Sequence, residues 1–399
     1  MLQPPRPTTV ALLSAASVTE GGTDSNIALA VVGGDPLLAH QITALRHVGI
    51  KAFLIEVDHV PGALLTLADK VRRDGCSVEF VRSVDDLKKQ IRTSQLLLIQ
   101  AEGLFAAPEF LASVLEGPDP FVATVDGRDE NEPFERMDLN TRWAGLAVLN
   151  AATVASLEPL PDGWSISSSL LRQAMRDAVP NRLIKQSNIQ HGFLLKISSA
   201  DDTEQLTRRI LANRAGRERG FIESRLFGPI VTRIAPLIWR SPSGGVLLDG
   251  FMLGASAASF ALAAFNWHIA AICGAFLAVF LNSVRQAASS SGFEQGLARW
   301  ITPLMWTLLA GAVVWGARAT SLETFDGFFT AGTLIGLTIL ARHLKLPVWA
   351  ERLLRSPALI AGLMLVLTPW VGFATAAKCV SLGQLLLLIV AKWTHLPKT

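Results

Sequence analysis

Short apolar runs alternate with amphipathic stretches over the first half of the chain. The run Ile27–Val32 predicts a buried strand, and Gly33–Asp35 predicts a turn directly after it. Leu37–Val48 carries its apolar residues near helical spacing and is followed by Gly49, which is typical of a helix and its end. This alternation predicts a mainly parallel sheet with helices on both faces, which is an α/β domain. The same pattern predicts further strands at Ala52–Val57, Ser77–Val81 and Leu96–Ile99, and further helices at Ala63–Arg73 and Val84–Thr93.

Long apolar runs replace this alternation in the second half of the chain. Several are shorter than the roughly 20 residues that a helix needs to cross a bilayer perpendicularly. Short runs joined in pairs by tight turns predict an all-α, six-helix transmembrane bundle. The six runs are about Val246–Phe265, Trp267–Val284, Ile301–Gly316, Phe328–Ala341, Ala358–Ala376 and Val380–Ala391.

Charge is distributed unevenly along the 399 residues, of which 17 % are charged and 50 % are hydrophobic. Residues 244–399 hold 10 Lys and Arg against 5 Asp and Glu, so the formal charge is +5 there and −2 in the rest. This composition excludes a disordered chain, and the small positive balance indicates anionic lipid and not nucleic acid as a partner. We predict a flexible tail at 1–25, the α/β domain at 26–200, a linker with a basic helix at 201–243 and the membrane domain at 244–399.

Lysine and arginine are also distributed unevenly between the two sides of the predicted bundle. The loops after the second and fourth runs and the C-terminal tail carry eight of them, whereas the opposite side carries Arg318 and Lys378. Cytoplasmic loops are enriched in Lys and Arg. The sequence therefore predicts a multi-pass protein of the inner (plasma) membrane with both termini in the cytoplasm.

A basic, amphipathic segment precedes the first predicted span. Arg225 and Arg233 are interspersed with apolar residues that include Leu226, Ile230 and Leu237. Such a segment is typical of a helix that lies in the membrane interface and contacts anionic lipids. Arg225 and Arg233 are therefore candidate ligands of a phosphate or a lipid headgroup; a solvated linker helix is the alternative.

Three segments of the first half together resemble the nucleotidyltransferases with a glycosyltransferase-A-like Rossmann fold. These enzymes join a sugar or alditol phosphate to a nucleotide and release pyrophosphate. The segments are Val32–Ile50, which contains Val-Gly-Gly-Asp-Pro-Leu-Leu, Leu96–Phe105 and Trp143–Leu149. The resemblance implies that Gly33 and Gly34 lie near a nucleotide. It also implies that Glu102 stands where the family has a metal-binding Asp.

This chain departs from the family's pattern at the phosphate-binding loop. Its members carry a Gly-rich loop, an Arg and a Lys after the first strand, where backbone N–H groups and cations hold the triphosphate. The predicted strand Ile27–Val32 runs straight into Gly33, and Gly21 and Gly22 lie upstream of it. We therefore predict that the phosphate loop is missing.

The segment Gly220–Arg240 resembles the junction of bifunctional enzymes in which a nucleotidyltransferase domain precedes a CDP-alcohol phosphatidyltransferase domain. The inositol-1-phosphate cytidylyltransferase fusions are of this type. The resemblance implies that the membrane domain has six helices and passes a phosphoalcohol from a CDP-alcohol to a lipid or another alcohol. The family's signature is D-x2-D-G-x2-A-R-x8-G-x3-D-x3-D, whose Asp residues bind two divalent cations.

This signature is degenerate here. Between Gly250 and Arg318 the only acidic residue is Glu294. We therefore predict no metal site and no confident catalytic residue, and Mg²⁺ or Mn²⁺ would be a cofactor only if the protein were active. Arg285 and Arg299 are kept as candidate ligands of a phosphate or a headgroup. Placed by position, the four Asp residues fall on Asn282, Arg285, Trp300 and Leu304.

Three functions follow from these observations. The first is a non-catalytic pseudoenzyme that acts as a scaffold or binding partner in phospholipid or glycolipid headgroup synthesis, together with an active paralogue or a second copy of the chain. The second is an active transferase that moves a phosphoalcohol from a CDP-alcohol to an acceptor. The third is a membrane transporter. Whether the chain is an enzyme stays open at this stage.

Overall fold

The chain divides into two compact units at Thr207 and Arg208, and each is described here by itself. The first unit combines strands and helices, and the second is helical. The structure is a computed structural model. It describes residues 9–16, 26–93, 95–117, 119–127, 131–161, 164–216, 220–239, 244–288, 298–321, 323–344 and 346–395.

The α/β unit is built around one large mixed sheet. Its strands lie in the order β11-β8-β10-β6-β1-β4-β5, with β9 paired to β10. The strands β6, β1, β4 and β5 are mutually parallel, whereas β10 is antiparallel to both β6 and β8. The predicted α/β class is confirmed. The strands are β1 (Thr9–Ser14), β2 (Val31–Val32), β3 (Asp35–Pro36), β4 (Ala52–Glu56), β5 (Ser77–Val81), β6 (Leu96–Gln100), β7 (Leu104–Ala106), β8 (Phe121–Asp126), β9 (Glu135–Arg136), β10 (Thr141–Asn150), β11 (Asn181–Leu183) and β12 (Leu194–Lys196).

The helices of this unit follow the strands in the alternation that the sequence predicts. Most of them begin after a strand end and bury one apolar face, as α2 does with Leu64, Leu67 and Val71. They are α1 (Leu37–His47), α2 (Gly62–Arg73), α3 (Val84–Gln90), α4 (Pro108–Val114), α5 (Ala151–Ala155), α6 (Ile166–Arg176), α7 (Gln186–Gln190) and α8 (Ala200–Gly216), whose last residues belong to the second unit.

The first strand of the sheet corrects the prediction of a flexible tail over residues 1–25. Residues Thr9–Ser14 form β1, which pairs in parallel with β4 on one side and β6 on the other. Its apolar residues from Val10 to Leu13 are almost fully buried because both faces of a central strand are covered. The predicted strand Ile27–Val32 is instead a 3₁₀ turn at Ile27–Leu29 followed by the two-residue β2. Residues 1–8 and 17–25 lie outside the described residues.

The second unit is an assembly of apolar helices. Among the described residues, five helices are long and apolar enough to cross a membrane, and the pair α14–α15, bent by 57°, makes a sixth if it counts as one span. The unit therefore has the helices of a multi-pass membrane protein. Its helices are α9 (Gly228–Trp239), α10 (Gly244–Ala264), α11 (His268–Ala288), α12 (Ala298–Thr320), α13 (Thr324–His343), α14 (Val348–Leu354), α15 (Pro357–Val371) and α16 (Phe373–His395).

The last two spans differ in their bounds from the prediction. The predicted run Ala358–Ala376 is interrupted at Gly372, which ends α15 with a φ of +81°. Glycine adopts this backbone conformation without the steric cost of a side chain. The helix α16 therefore begins at Phe373 and is much longer than the predicted run Val380–Ala391.

A buried carboxylate organises the start of α15. Glu223 lies in a π-helical turn, Glu223–Phe227, and accepts hydrogen bonds from the Ala358 N–H (2.8 Å) and the Ser356 hydroxyl. These are groups at a helix N-terminus, where a carboxylate is favourable. Gly220 contacts Ser356 so closely that a Cβ at this position would lie 2.1 Å from the Cβ of Ser356. Packing of the juxtamembrane segment on this helix end therefore requires Gly220.

Candidate functional site

A cavity of about 910 Å³ opens at the carboxyl edge of the sheet in the α/β unit. It is lined by residues at or just after the ends of β1, β4 and β6, which are Ser14, Glu56 and Glu102. Ligands of open α/β sheets bind at the carboxyl ends of the strands. We call this the carboxyl-edge cavity and take it as the candidate site of this unit.

Glu56 is a structural carboxylate at the back of the cavity. It is 5 % exposed and accepts hydrogen bonds from the Ile166 N–H (2.6 Å) and from the Ser167 hydroxyl (3.0 Å). These bonds satisfy donors at the N-terminus of α6. Burial raises the pKa of Glu56, and the hydrogen bonds from Ile166, Ser167 and Ser14 oppose that rise. The carboxylate thus ties β4 to the start of α6 and shapes the cavity wall.

Glu102 and Lys196 form the polar centre of the cavity. The ammonium of Lys196 donates to the backbone carbonyl of Glu102, and the Glu102 Oε1 atom is buried without a hydrogen-bond partner among the described residues. Burial raises the pKa of Glu102 to about 7; Lys196 opposes this rise, whereas Glu56 and Asp58 add to it. Burial also lowers the pKa of Lys196. Glu102 therefore changes charge near neutral pH, which is uncommon for a carboxyl group.

The backbone around Glu102 is fixed by close contacts. Gly103 has a φ of +69°, and a Cβ at this position would lie 2.4 Å from the carbonyl oxygen of Ile197. The Ile197 N–H donates to the Gly103 carbonyl (2.7 Å), and the Ala101 N–H donates to the Gly145 carbonyl (2.8 Å). The turn after β6 therefore holds the Glu102 side chain against the cavity.

The walls of the cavity combine aromatic and charged side chains. Trp164 is 54 % exposed, and the Arg172 guanidinium lies 5.3 Å from its ring centre. Trp143 is buried and donates its indole N–H to the Leu146 carbonyl (3.1 Å). Arg142 donates to the backbone carbonyls of Glu132 (3.1 Å) and Phe134 (3.0 Å) and so anchors this segment beside the cavity.

The carboxylates that line this cavity are not arranged as a metal site on their own. Among the described residues no group of three or more His, Cys, Asp and Glu side chains is arranged to hold a metal ion. Glu56 already accepts two hydrogen bonds, and Glu102 carries a raised pKa beside the Lys196 ammonium. Mg²⁺ is usually held by one or two carboxylates together with waters and substrate phosphates. The described side chains therefore do not form a complete metal site on their own, and a cation here would need ligands from a bound substrate.

Gly33 and Gly34 lie in the tight turn between β2 and β3, with φ values of 58° and 92°. The Gly33 N–H donates to the Thr207 hydroxyl (3.1 Å), and neither glycine is among the described residues that line the carboxyl-edge cavity. The structure therefore does not bring these two candidate nucleotide ligands together with Glu102.

The position of the family's phosphate loop is also corrected. Because β1 is the first strand, residues 15–26 follow it, and Gly21 and Gly22 lie downstream of that strand and not upstream. The prediction that the loop is missing between Val32 and Gly33 rested on the wrong first strand. The segment 15–26 contains Glu20 and Asp24 but no Lys or Arg, and its residues 17–25 lie outside the described ranges.

In the helical unit, Arg285 is held by an ion pair. Its Nε atom lies 2.6 Å from Oδ1 of Asp249, and its Nη1 atom donates to the Thr302 hydroxyl (3.2 Å). The two charged side chains are only 10 % and 20 % exposed. A guanidinium thus occupies the place that the resemblance gives to a metal-binding Asp, and its partner carboxylate is already neutralised. The arrangement does not fit a divalent cation, and it leaves Arg285 less able to bind a phosphate than the sequence suggests.

The other positions predicted for the helical unit are scattered. Asn282 is buried, and its Oδ1 atom has no hydrogen-bond partner within the described residues. Trp300 and Leu304 are 64 % and 49 % exposed and therefore lie on the surface of the unit. Arg225 and Arg233 are both exposed, as an interfacial segment requires, and the Arg299 side chain lies outside the described part of the structure.

Two solved structures resemble the α/β half of the chain. One is described as a glucose-1-phosphate thymidylyltransferase from Bacillus anthracis in complex with a sucrose, with 11 % identity, a TM-score of 0.40 and coverage of 50 % of this chain and 94 % of that chain. The other is the inositol-1-phosphate CTP transferase from T. maritima, with 16 % identity, a TM-score of 0.37 and coverage of 51 % and 96 %. No family model and no curated protein matches the sequence. The fold assignment rests on the sheet topology, because similarity at this level carries no argument of its own.

Sequence reasoning found Glu102 but missed its neighbours. Glu56 ends a predicted strand at the same edge of the sheet, and that position was the available signal. Lys196 comes from β12, which pairs with β7 in a separate two-stranded sheet, so its approach to Glu102 depends on long-range folding. No motif or spacing in the sequence predicts that Thr302 contacts Arg285.

Proposed function

We propose that this protein is a membrane-embedded, non-catalytic relative of the fused nucleotidyltransferase and CDP-alcohol phosphatidyltransferase enzymes, with a scaffold or binding role in phospholipid or glycolipid headgroup synthesis. Its α/β unit binds a polar ligand in the carboxyl-edge cavity without nucleotidyl transfer. Its helical unit provides the membrane anchor and carries out no phosphoalcohol transfer.

The observation that carries this proposal is the ion pair between Arg285 and Asp249. Phosphoryl transfer at a two-metal site depends on cations that neutralise charge on the transferred group and activate the attacking oxygen. Arg285 brings a fixed cation with no capacity to ligate a metal, and it consumes the carboxylate closest to it. Enzymes lower reaction barriers by about 8–23 kcal/mol, and one guanidinium supplies only a small part of such a decrease.

The carboxyl-edge cavity supports ligand binding in the α/β unit. Its size lies in the range of about 300–1,000 Å³ that holds small molecules, and it places aromatic faces beside carboxylates and the Lys196 ammonium. A polyhydroxylated ligand with one phosphate suits these aromatic, acidic and basic side chains better than a nucleoside triphosphate does. Residues 15–26 supply no Lys or Arg to neutralise the charge of a triphosphate.

Nucleotidyl transfer by the α/β unit is the second candidate, and one observation favours it. The segment with Gly21 and Gly22 follows β1, where a strand-to-helix loop that binds phosphate would be expected. Residues 15–26 contribute no cationic side chain, so this candidate requires their backbone, with Arg136, Arg142 and Lys196 of the cavity lining, to hold a triphosphate.

An assay on the full-length protein in detergent distinguishes the two candidates. The chain is incubated with Mg²⁺ and either CTP with inositol 1-phosphate or dTTP with glucose 1-phosphate, and pyrophosphate release is measured. We expect release no greater than that of the Glu102→Gln variant, together with a fluorescence change on adding the sugar or alditol phosphate alone that is lost in Trp164→Phe. Pyrophosphate release that depends on Glu102 would establish the second candidate, and the lack of any Trp164-dependent signal would contradict binding.

A further inference from the structure

A second cavity lies within the helical unit. It has a volume of about 530 Å³ and is lined by residues of α11, α12, α13 and α15 together with Phe373. Each of these four helices contributes about two turns of side chains. Along α13 the lining runs from Leu334 to Arg342, a distance of about 12 Å at 1.5 Å per residue. We call it the α11–α15 cavity.

The lining of the α11–α15 cavity is apolar except at one end. Leu309, Val313, Leu334, Ile335 and Met364 are typical of its walls. The Thr338 hydroxyl donates back to the Leu334 carbonyl (2.8 Å). Among the described lining residues, Arg342 is the one that carries a charge. The cavity is thus long and apolar with a single cation at its end.

The Arg342 guanidinium is positioned but not neutralised. It stacks over the ring of Trp306 at 5.0 Å, an arrangement that fixes its direction. No described carboxylate forms an ion pair with it. Glu223 acts on it electrostatically, but its two oxygens already accept hydrogen bonds from Ser356 and Ala358. A second guanidinium, that of Arg355, lies close by and is engaged by Glu351. An anion would therefore be stabilised at this end of the cavity.

We propose that the α11–α15 cavity binds one single-chain anionic amphiphile, with the chain between the four helices and its carboxylate or phosphate on the Arg342 guanidinium. The volume of about 530 Å³ lies within the range of about 300–1,000 Å³ that is typical of small-molecule sites, and we assign it to one chain. Charge complementarity selects an anionic head over a neutral or zwitterionic one, because Arg342 is the one charged residue among the described residues that line the cavity. This site is independent of the Arg285–Asp249 pair and of the carboxyl-edge cavity, so it does not rest on the function proposed above.

Binding of radiolabelled oleate and 1-oleoyl lysophosphatidate to the full-length protein in detergent tests this proposal. We expect Arg342→Gln to weaken both probes by about tenfold or more, as the loss of a charged hydrogen bond predicts, and to leave monoolein unaffected. Arg352→Gln is the matched control, since Arg352 is exposed in the same region but is not among the residues that line the cavity. Ala310→Phe, which places a ring in the cavity, should weaken the binding of all single-chain probes.

Two further arms define what would overturn the proposal. If Arg342→Gln and Arg352→Gln weaken probe binding equally, the effect comes from overall charge and the proposal is wrong. If dioleoyl phosphatidate displaces bound oleate as effectively as the single-chain probes do, the site does not select one chain. Inorganic phosphate that competes at the same concentration as lysophosphatidate would reject the role of the chain. If the variants do not fold, quenching of wild-type fluorescence by dibromostearate supplies the test. We expect the part of the tryptophan fluorescence that dibromostearate quenches to be absent in Trp306→Phe. Undiminished quenching in that variant would contradict the proposal.

Discussion

At the scale of single residues, Glu102 links the carboxyl-edge cavity to pH. Its pKa rises from 4.5 to about 7, mainly because the carboxyl group is buried. Between these two values the folded state holds a proton that the unfolded state has released. The contribution of Glu102 to the free energy of unfolding should therefore be highest below pH 4.5. It should fall as the pH rises to about 7.

We predict that this fall is on the order of 1–3 kcal/mol, since one pKa unit corresponds to about 1.4 kcal/mol. The Glu102→Gln variant should lose the pH dependence in this window and should be more stable than the wild type at pH 8. Limited proteolysis of residues 9–207 in the full-length protein, followed against temperature at several pH values, measures this. The control Glu132→Gln removes another carboxylate from the same cavity, and an equal effect of both substitutions would contradict the assignment to Glu102.

The Arg285–Asp249 pair provides the second prediction at this scale. Removal of one partner from a buried pair leaves an uncompensated charge and typically costs about 3–5 kcal/mol, whereas an apolar replacement of both partners is often nearly neutral. We expect Arg285→Met and Asp249→Leu each to destabilise the helical unit by about 2–4 kcal/mol, given their partial exposure. The double variant should recover most of that loss.

Thermal unfolding of the full-length protein in detergent completes this double-mutant cycle. The matched control is the more exposed pair of Lys378 and Asp326, whose side chains are 50 % and 39 % exposed. Lys378→Met should cost about 1 kcal/mol or less. If the effects of the Arg285 and Asp249 substitutions simply add, the two side chains do not interact as described.

At the scale of elements, β1 decides whether the α/β unit forms. Leu12 is fully buried, and its strand has parallel neighbours on both sides. We predict that Leu12→Ala destabilises this unit by about 2–5 kcal/mol, as large-to-small substitutions in cores do. The exposed Leu65 in α2 is the control, and Leu65→Ala should change stability by less than about 0.5 kcal/mol. Hydrogen exchange of the β4 and β6 peptides reports the difference, and equal protection in the two variants would contradict the central position of β1.

The same elements show what the sequence could and could not predict. The later strands were predictable because each is an apolar run bounded by turn residues, as β4, β5 and β6 are. β1 was missed because six residues behind a proline-rich start carry no periodicity of their own. The 3₁₀ turn at Ile27–Leu29 was taken for a strand, since a short apolar run fits either structure.

The candidate site shows the same limit. Glu102 was predictable from its position after a strand, whereas its pairing with Lys196 depends on contacts between residues that are 94 positions apart. The pairing of Asp249 with Arg285 joins residues 36 positions apart and was not predicted from the sequence. The Glu223 cap of α15 was missed, because a helix end 133 residues away leaves no signal in the local sequence.

At the scale of the whole molecule, the distribution of Lys and Arg predicts the orientation in the membrane. The end of α13 carries Arg342 and the region after it carries Arg352 and Arg355, whereas the end of α12 carries Arg318. We expect a cysteine at Thr320 to react with a membrane-impermeant reagent added from outside and a cysteine at Thr399 to be protected. The background must lack Cys76, Cys273 and Cys379. Faster labelling at Thr399 than at Thr320 would reject the orientation.

We propose that the helical unit performs no phosphoalcohol transfer, because the ion pair of Arg285 and Asp249 lies where the family resemblance would place a metal site. Release of labelled CMP from CDP-alcohols in membranes that contain this protein and no other transferase tests this claim most directly. We predict that neither Mg²⁺ nor Mn²⁺ raises CMP release above that of empty membranes. Cation-dependent release above this background, abolished by Asp249→Asn, would contradict the account.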